Sequence, residues 1–157
     1  MVEATHLIGW SAKLQGLFGH CWRKGNDTMQ IVDVTPVTKP RQTKRDKWKQ
    51  RPCVMRYRAY ADHLRAKMLD IPECGYHLIF IMPMPKSWSK KKRDAMRGKQ
   101  HQQTPDKDNL EKAVLDALYG DDSCVWDGRV SKFWGDKGRV IVRSIPAFRL
   151  EELNETS

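Results

Sequence analysis

The residues best equipped for chemistry in this chain lie in one stretch, Thr104–Leu118, which reads TPDKDNLEKAVLDAL. Asp106 and Asp108 are one residue apart, Asn109 follows, and Lys112 stands four positions after Asp108. Carboxylates are hard oxygen donors suited to Mg²⁺, which takes a few of them together with waters and phosphate oxygens. A cation held there could activate water and stabilise a phosphoryl transition state. The ammonium of Lys112, one helical turn in, would then face the same phosphate and stabilise the developing charge. Asp121, Asp122 and Asp127 follow the helix as possible third carboxylates, and spacing alone does not choose among them.

Each member also has an ordinary explanation. Asp108 with Glu111 matches the capping box D-x-x-E, which closes a helix start without any metal. Lys112 could form an i,i+4 surface ion pair with Asp108, worth roughly 0.2–0.5 kcal/mol. Yet the cap uses only one of the two acids. Pro105 favours an extended approach, in which residues two apart point the same way, so both carboxylates can converge.

The surroundings favour chemistry. The chain has 157 residues and a net charge of +10. Lys39–Arg51 holds seven Lys/Arg and one Asp, and Lys86–Lys99 repeats that count. Each segment is therefore +6, and the remainder of the chain is slightly acidic. Concentrated charge of this kind is the footprint of a polyanion partner, because lysines and arginines on phosphates release condensed counterions. Lys44, Arg45, Lys47, Lys86, Lys90, Lys91, Lys92 and Arg93 are the candidate phosphate contacts. Acids between two such segments repel DNA unless a divalent cation inverts the local sign. Trp88, alone among lysines, reads as an anchor rather than a base-stacking group.

The elements that must position these groups follow from periodicity. Met29 opens a Val/Ile-rich strand, MQIVDVTPV, and Pro36 and Pro40 keep the next loop irregular. Pro52 begins a helix with Val54, Tyr57, Ala61, Leu64 and Met68 on its apolar face, stopped by Ile71-Pro72. Tyr76–Met82 is a continuous apolar run, predicted as a central strand buried on both faces. SWSKKKRDAMR can form a short helix capped by Ser87 or Ser89. The acidic helix buries Leu110, Val114, Ala117 and Leu118, with Gly120 as its left-handed C′ residue. Strands at Arg129–Trp134 and Arg139–Ile145 flank a turn at Gly135–Gly138. The order predicts one α+β domain on a mixed sheet, spanning 29–150, after an N-terminal extension (1–28) and before a polar tail (151–157). The four cysteines form no zinc-ligand pattern and read as free thiols in a reducing compartment. No run approaches the roughly 18 apolar residues needed to cross a bilayer, which points to a soluble intracellular chain.

DKDNLEKAVLDAL at 106–118, the acidic pair Asp121-Asp122, and VWDGRVSK at Val125–Lys132 resemble the RusA family of Holliday junction resolvases. More loosely, the resemblance runs from Met29 to Ile145. It implies a Mg²⁺-dependent endonuclease, with Mn²⁺ able to substitute, acting as a homodimer on four-way DNA junctions. It implies Asp106, Asp108 and Asp122 as metal ligands, Lys112 as the catalytic lysine and Asn109 as the motif asparagine. It further implies a bacterial or phage-encoded cytoplasmic enzyme of DNA recombination and repair. A less selective branched or flap nuclease, or a non-catalytic DNA-binding module, would use the same surfaces.

Overall fold

The computed structural model describes residues 29–41, 43–47 and 51–150. The expectations for 1–28 and 151–157 lie outside the described residues. Among those described, the order is β1 (Met29–Val32), α1 (Pro52–Ala66), β2 (Tyr76–Pro83), α2 (Lys90–Met96), α3 (Lys107–Leu118), β3 (Gly128–Gly135) and β4 (Arg139–Ser144). A short 3-10 turn at Lys44–Lys47 precedes α1. Three helices on a four-stranded mixed sheet make the α+β domain that the element order predicts.

The sheet runs β1-β4-β2-β3, with β4 antiparallel to both neighbours and β2 parallel to β3. A parallel pair needs a crossover, and α2 and α3 provide it. Strands do flank the glycine-rich turn at Gly135–Gly138, but β3 and β4 do not pair with each other. The chain instead crosses β2 and inserts β4 between β1 and β2. Gly138 allows this passage: a Cβ there would stand 2.4 Å from the Thr35 backbone.

β2 is central, with alternation sharper than its apolar run suggests. Tyr76, Leu78, Phe80 and Met82 are buried, whereas His77, Ile79 and Ile81 on the opposite face are only half-buried. The buried set packs with Tyr57, Tyr60, Ala61 and Leu64 of α1 and with Leu110, Ala113, Val114, Leu115 and Ala117 of α3. Two hydrogen bonds tie those helices together. Tyr57 Oη donates to the Ala113 carbonyl at 3.2 Å, and Arg65 Nε donates to that of Ala117 at 2.7 Å. Met68 departs from the predicted stripe. The helix has already ended at Ala66, and Met68 is exposed with φ at +52°. Leu118 is likewise only partly buried. Cys53 and Cys124 are free and exposed. Cys74 is buried and disulfide-bonded, against the expectation of free thiols; wide separation in sequence does not prevent approach in space.

The first basic segment has an internal anchor. Asp46 accepts from the Thr43 amide at 2.6 Å and from Arg51 Nε and Nη2 at 2.5 and 2.6 Å. The Arg51 guanidinium, then the Thr43 amide, hold its pKa at about 2 instead of the ordinary 3.8. A depressed folded-state pKa contributes stability that is complete above the unfolded value and disappears as pH falls through the folded one. The unfolding midpoints of wild type and Asp46→Asn should therefore differ fully above pH 3.8 and converge as pH falls towards about 2. Thermal melts of both proteins across that range check this.

Candidate active site

The chain reaches the acidic helix along the outer edge of β3. Gly98 N donates to the Trp134 carbonyl, Trp134 N to that of Lys99, and His101 N to that of Lys132, at 2.9, 2.9 and 3.0 Å. This short added strand fixes where residues 102–105 begin. Lys132 then holds their far end: its Nζ donates to the Gln103 carbonyl at 2.9 Å and to that of Pro105 at 2.5 Å.

Asp106 follows as the N-cap of α3, with φ −70° and ψ 152°, and its carbonyl accepts from Leu110 N at 3.3 Å. Its carboxylate makes no capping hydrogen bond. Asp108 is in the first helical turn, where the helix dipole favours negative charge. Both acids line an open cleft of about 600 Å³ between the 100–104 segment and β3 residues Val130–Phe133. The structure thus brings together the two acids that sequence spacing singles out.

The capping box does not form. Asp106, not Asp108, is the cap, and Glu111 Oε1 accepts from Tyr76 Oη at 2.6 Å instead of turning back to the helix start. Burial, reinforced by this carboxylate, raises the Tyr76 pKa. The other end also differs from expectation. α3 terminates in an extended residue, Tyr119, whose hydroxyl donates to the Ile71 carbonyl, and Gly120 has no positive φ. That tertiary anchor replaces the left-handed cap.

Lys112 and Asn109 are exposed on α3, and Lys112 forms no ion pair with Asp108 among the described residues. Continuing along that face at helical spacing is Asp116, which pairs with Lys39 Nζ at 2.9 Å. The hydrogen bond to Asp116 raises the Lys39 pKa, with a smaller contribution from Asp122. Asp122 therefore belongs near the Lys39–Asp116 pair, past the C-terminal end of a 12-residue helix about 18 Å long. Asp121 is engaged by the Ser123 amide at 3.0 Å, and Asp127 by the Phe148 amide at 2.9 Å. Among the described residues, no three His, Cys, Asp or Glu side chains gather closely enough to hold a metal ion. The strand after α3 does run back towards its start, but it returns Lys132 rather than an acid.

Lys132 and Asp116 are the groups that sequence reasoning passed over. Asp116 follows Lys112 by four and Asp108 by eight, so helical periodicity was the available signal. Lys132 had only its place in the VSK stretch of β3. His101, on the floor of the cleft, packs its ring against Trp134 with centroids 4.1 Å apart. Burial first, and then the Lys132 charge, push its pKa below the ordinary histidine value.

Lys44, Lys86, Lys90 and Lys91 are exposed. Lys92 lies over the Trp88 ring at 4.3 Å, and Trp88 packs on Trp134 at 5.0 Å, so this tryptophan is an anchor. Arg93 and Arg97 both reach Asp136, at 3.4 and 2.8 Å. The side chains of Arg45 and Lys47 lie outside the described residues. Ser89 caps α2, accepting from Lys92 N at 3.3 Å. Trp126 is exposed beside the acidic loop.

The site therefore consists of paired carboxylates where a crossover helix of a mixed sheet opens, with lysines displayed nearby. The family model of the endodeoxyribonuclease RusA matches residues 33–144, and the chain belongs to that family. It is also similar to the uncharacterized protein YqaN of Bacillus subtilis (strain 168), at 47% identity over 75 residues. That match takes in 41% of this chain and 53% of YqaN, so the chain spans about half the length of this relative. No helix among the described residues is long and apolar enough to cross a membrane.

Proposed function

We propose that this chain resolves four-way DNA junctions in recombination and repair, as a homodimeric, Mg²⁺-dependent endonuclease of bacterial or phage origin. The observation that carries the reading is the Asp106–Asp108 pair, with neither carboxylate committed to capping, in a cleft beside lysine-bearing elements. The donor set fits Mg²⁺, which binds through one or two carboxylates plus waters and substrate phosphates and does not require an all-protein cage. Asp106 and Asp108 would hold it. When bound, the ion supplies water activation and charge neutralisation at the phosphate. Mn²⁺ would serve the same hard-donor set.

The chain's own residues supply the remainder. Lys112 offers a mobile ammonium to a phosphate entering along α3. Asp122 remains the proposed third carboxylate, reaching the site if junction binding draws its loop along the helix. Lys44, Lys86, Lys90, Lys91 and Lys92, with Arg45, Lys47 and Arg93, would track the backbone, and Asn109 would contact the strand beside the cleft. Affinity resting on such contacts falls steeply with salt. A two-fold enzyme presents one site to each of the two symmetric strands of a junction.

The test compares cleavage of a synthetic four-way junction, a flap and a linear duplex, in Mg²⁺ and in excess chelator. Paired nicks in the junction, dependent on metal and absent from the duplex, are the expected result. Equal cutting of the flap favours a broader branched-DNA nuclease. Binding without cutting under every metal condition favours a non-catalytic module.

A further inference from the structure

We infer that Lys132 is a positioning residue for the Asp106–Asp108 pair, an assignment that rests on the proposed reading of that site. Among the described residues, Lys132 makes no hydrogen bond or ion pair with either carboxylate. Its ammonium donates instead to the carbonyls of Gln103 and Pro105, at 2.9 and 2.5 Å, across 29 and 27 residues of chain. Pro105 is the residue immediately before the cap. The lysine thus fixes the peptide from which Asp106 departs, and through it the direction in which α3 begins.

The stem of Lys132 is held equally well. Its carbonyl accepts from His101 N at 3.0 Å, and its backbone is in register with Phe80 of the central strand. The side chain therefore links the sheet to the irregular segment in the cleft wall. Hydrogen bonds from a charged donor are shorter and roughly twice as strong as neutral ones. An ammonium is suited to this task because it serves two carbonyls that belong to neither helix nor sheet. Lys132 also lines the same cleft as the two carboxylates.

Donor groups at a site must hold their geometry within about 0.5 Å. Groups that orient metal ligands typically change metal affinity by about 10- to 100-fold when removed. Lys132 differs from a merely structural lysine in this respect: its loss should reach the carboxylate pair before it reaches the fold.

The experiment titrates Mn²⁺ into DNA-free protein, following free ion by electron paramagnetic resonance, for wild type, Lys132→Met, Lys132→Gln and Lys132→Arg. Junction binding without metal and single-turnover cleavage in Mg²⁺ are measured alongside. Lys132→Met should bind Mn²⁺ about 10- to 100-fold more weakly and cleave about 100-fold more slowly, while binding junctions as wild type does. Lys132→Gln keeps a donor without the charge and should also lose Mn²⁺ affinity. Lys132→Arg, which keeps both, should recover most of it. Wild-type Mn²⁺ affinity in folded Lys132→Met or Lys132→Gln overturns the assignment. A wild type that binds Mn²⁺ through Asp106 and Asp108 yet leaves junctions uncut sinks the proposed substrate and not the role of Lys132.

Discussion

Asp108→Asn is expected to slow junction cleavage in Mg²⁺ by about a thousand-fold while leaving metal-free junction binding intact. The magnitude follows from the chemistry assigned to the site. Metal-assisted stabilisation of a phosphoryl transition state is worth several kcal/mol. Each 1.36 kcal/mol is tenfold in rate, so losing about 4 kcal/mol gives that factor. The substitution preserves shape and removes one hard oxygen donor. Folding should not change, since Asp108 makes no capping bond and its predicted partner Glu111 is held by Tyr76. Asp106→Asn should behave alike, because the Asp106 carboxylate makes no capping hydrogen bond for the change to remove. Single-turnover cleavage and gel-shift binding on one synthetic junction separate the two effects. Full cleavage by Asp108→Asn would falsify the proposed mechanism.

The largest effect on stability is expected from Phe80→Ala. Phe80 is completely buried on the central strand, paired with Lys132 on one side and Val140 on the other. Removing a buried phenylalanine ring costs about 3–5 kcal/mol, as lost transfer energy plus the cavity left behind. Against a total of about 5–15 kcal/mol for a typical domain, that is a large share. At about 2–4 °C per kcal/mol for a chain of this size, the melting temperature should fall by roughly 6–20 °C. Differential scanning calorimetry measures this directly. Ile79→Ala, one position along on the half-buried face, should cost visibly less, and equal losses at the two positions would contradict the alternation described.

What could be read from the sequence depended on how local its cause was. Leu110 and Val114 follow helical spacing, and that spacing places them in the core. Asp106 and Asp108 share a cleft because they are neighbours at a helix start, a relation spanning two residues. The capping box failed because Glu111 is claimed by Tyr76, 35 residues earlier, a partner no local pattern contains. Met68 was misplaced because the helix stops one turn sooner than its apolar stripe. The two strands around Gly135–Gly138 were legible but their pairing was not, because glycine-rich turns look alike whether the next strand pairs with the last or passes over it. The role of Lys132 was not legible because which residue the returning strand delivers to the cleft depends on register across the whole sheet. The disulfide at Cys74 was beyond the reach of spacing altogether.

The insertion of β4 between β1 and β2 also governs when the molecule can take shape during synthesis. Among the described strands β1 is made first, yet its sheet neighbour there, β4, is made last. Until Arg139–Ser144 has been translated, the first basic segment follows a strand with no partner, while β2, the two crossover helices and β3 can already associate. Contacts between distant parts of the chain form slowly because the intervening loop must close first. A prematurely terminated chain would therefore carry the acidic helix without the completed sheet.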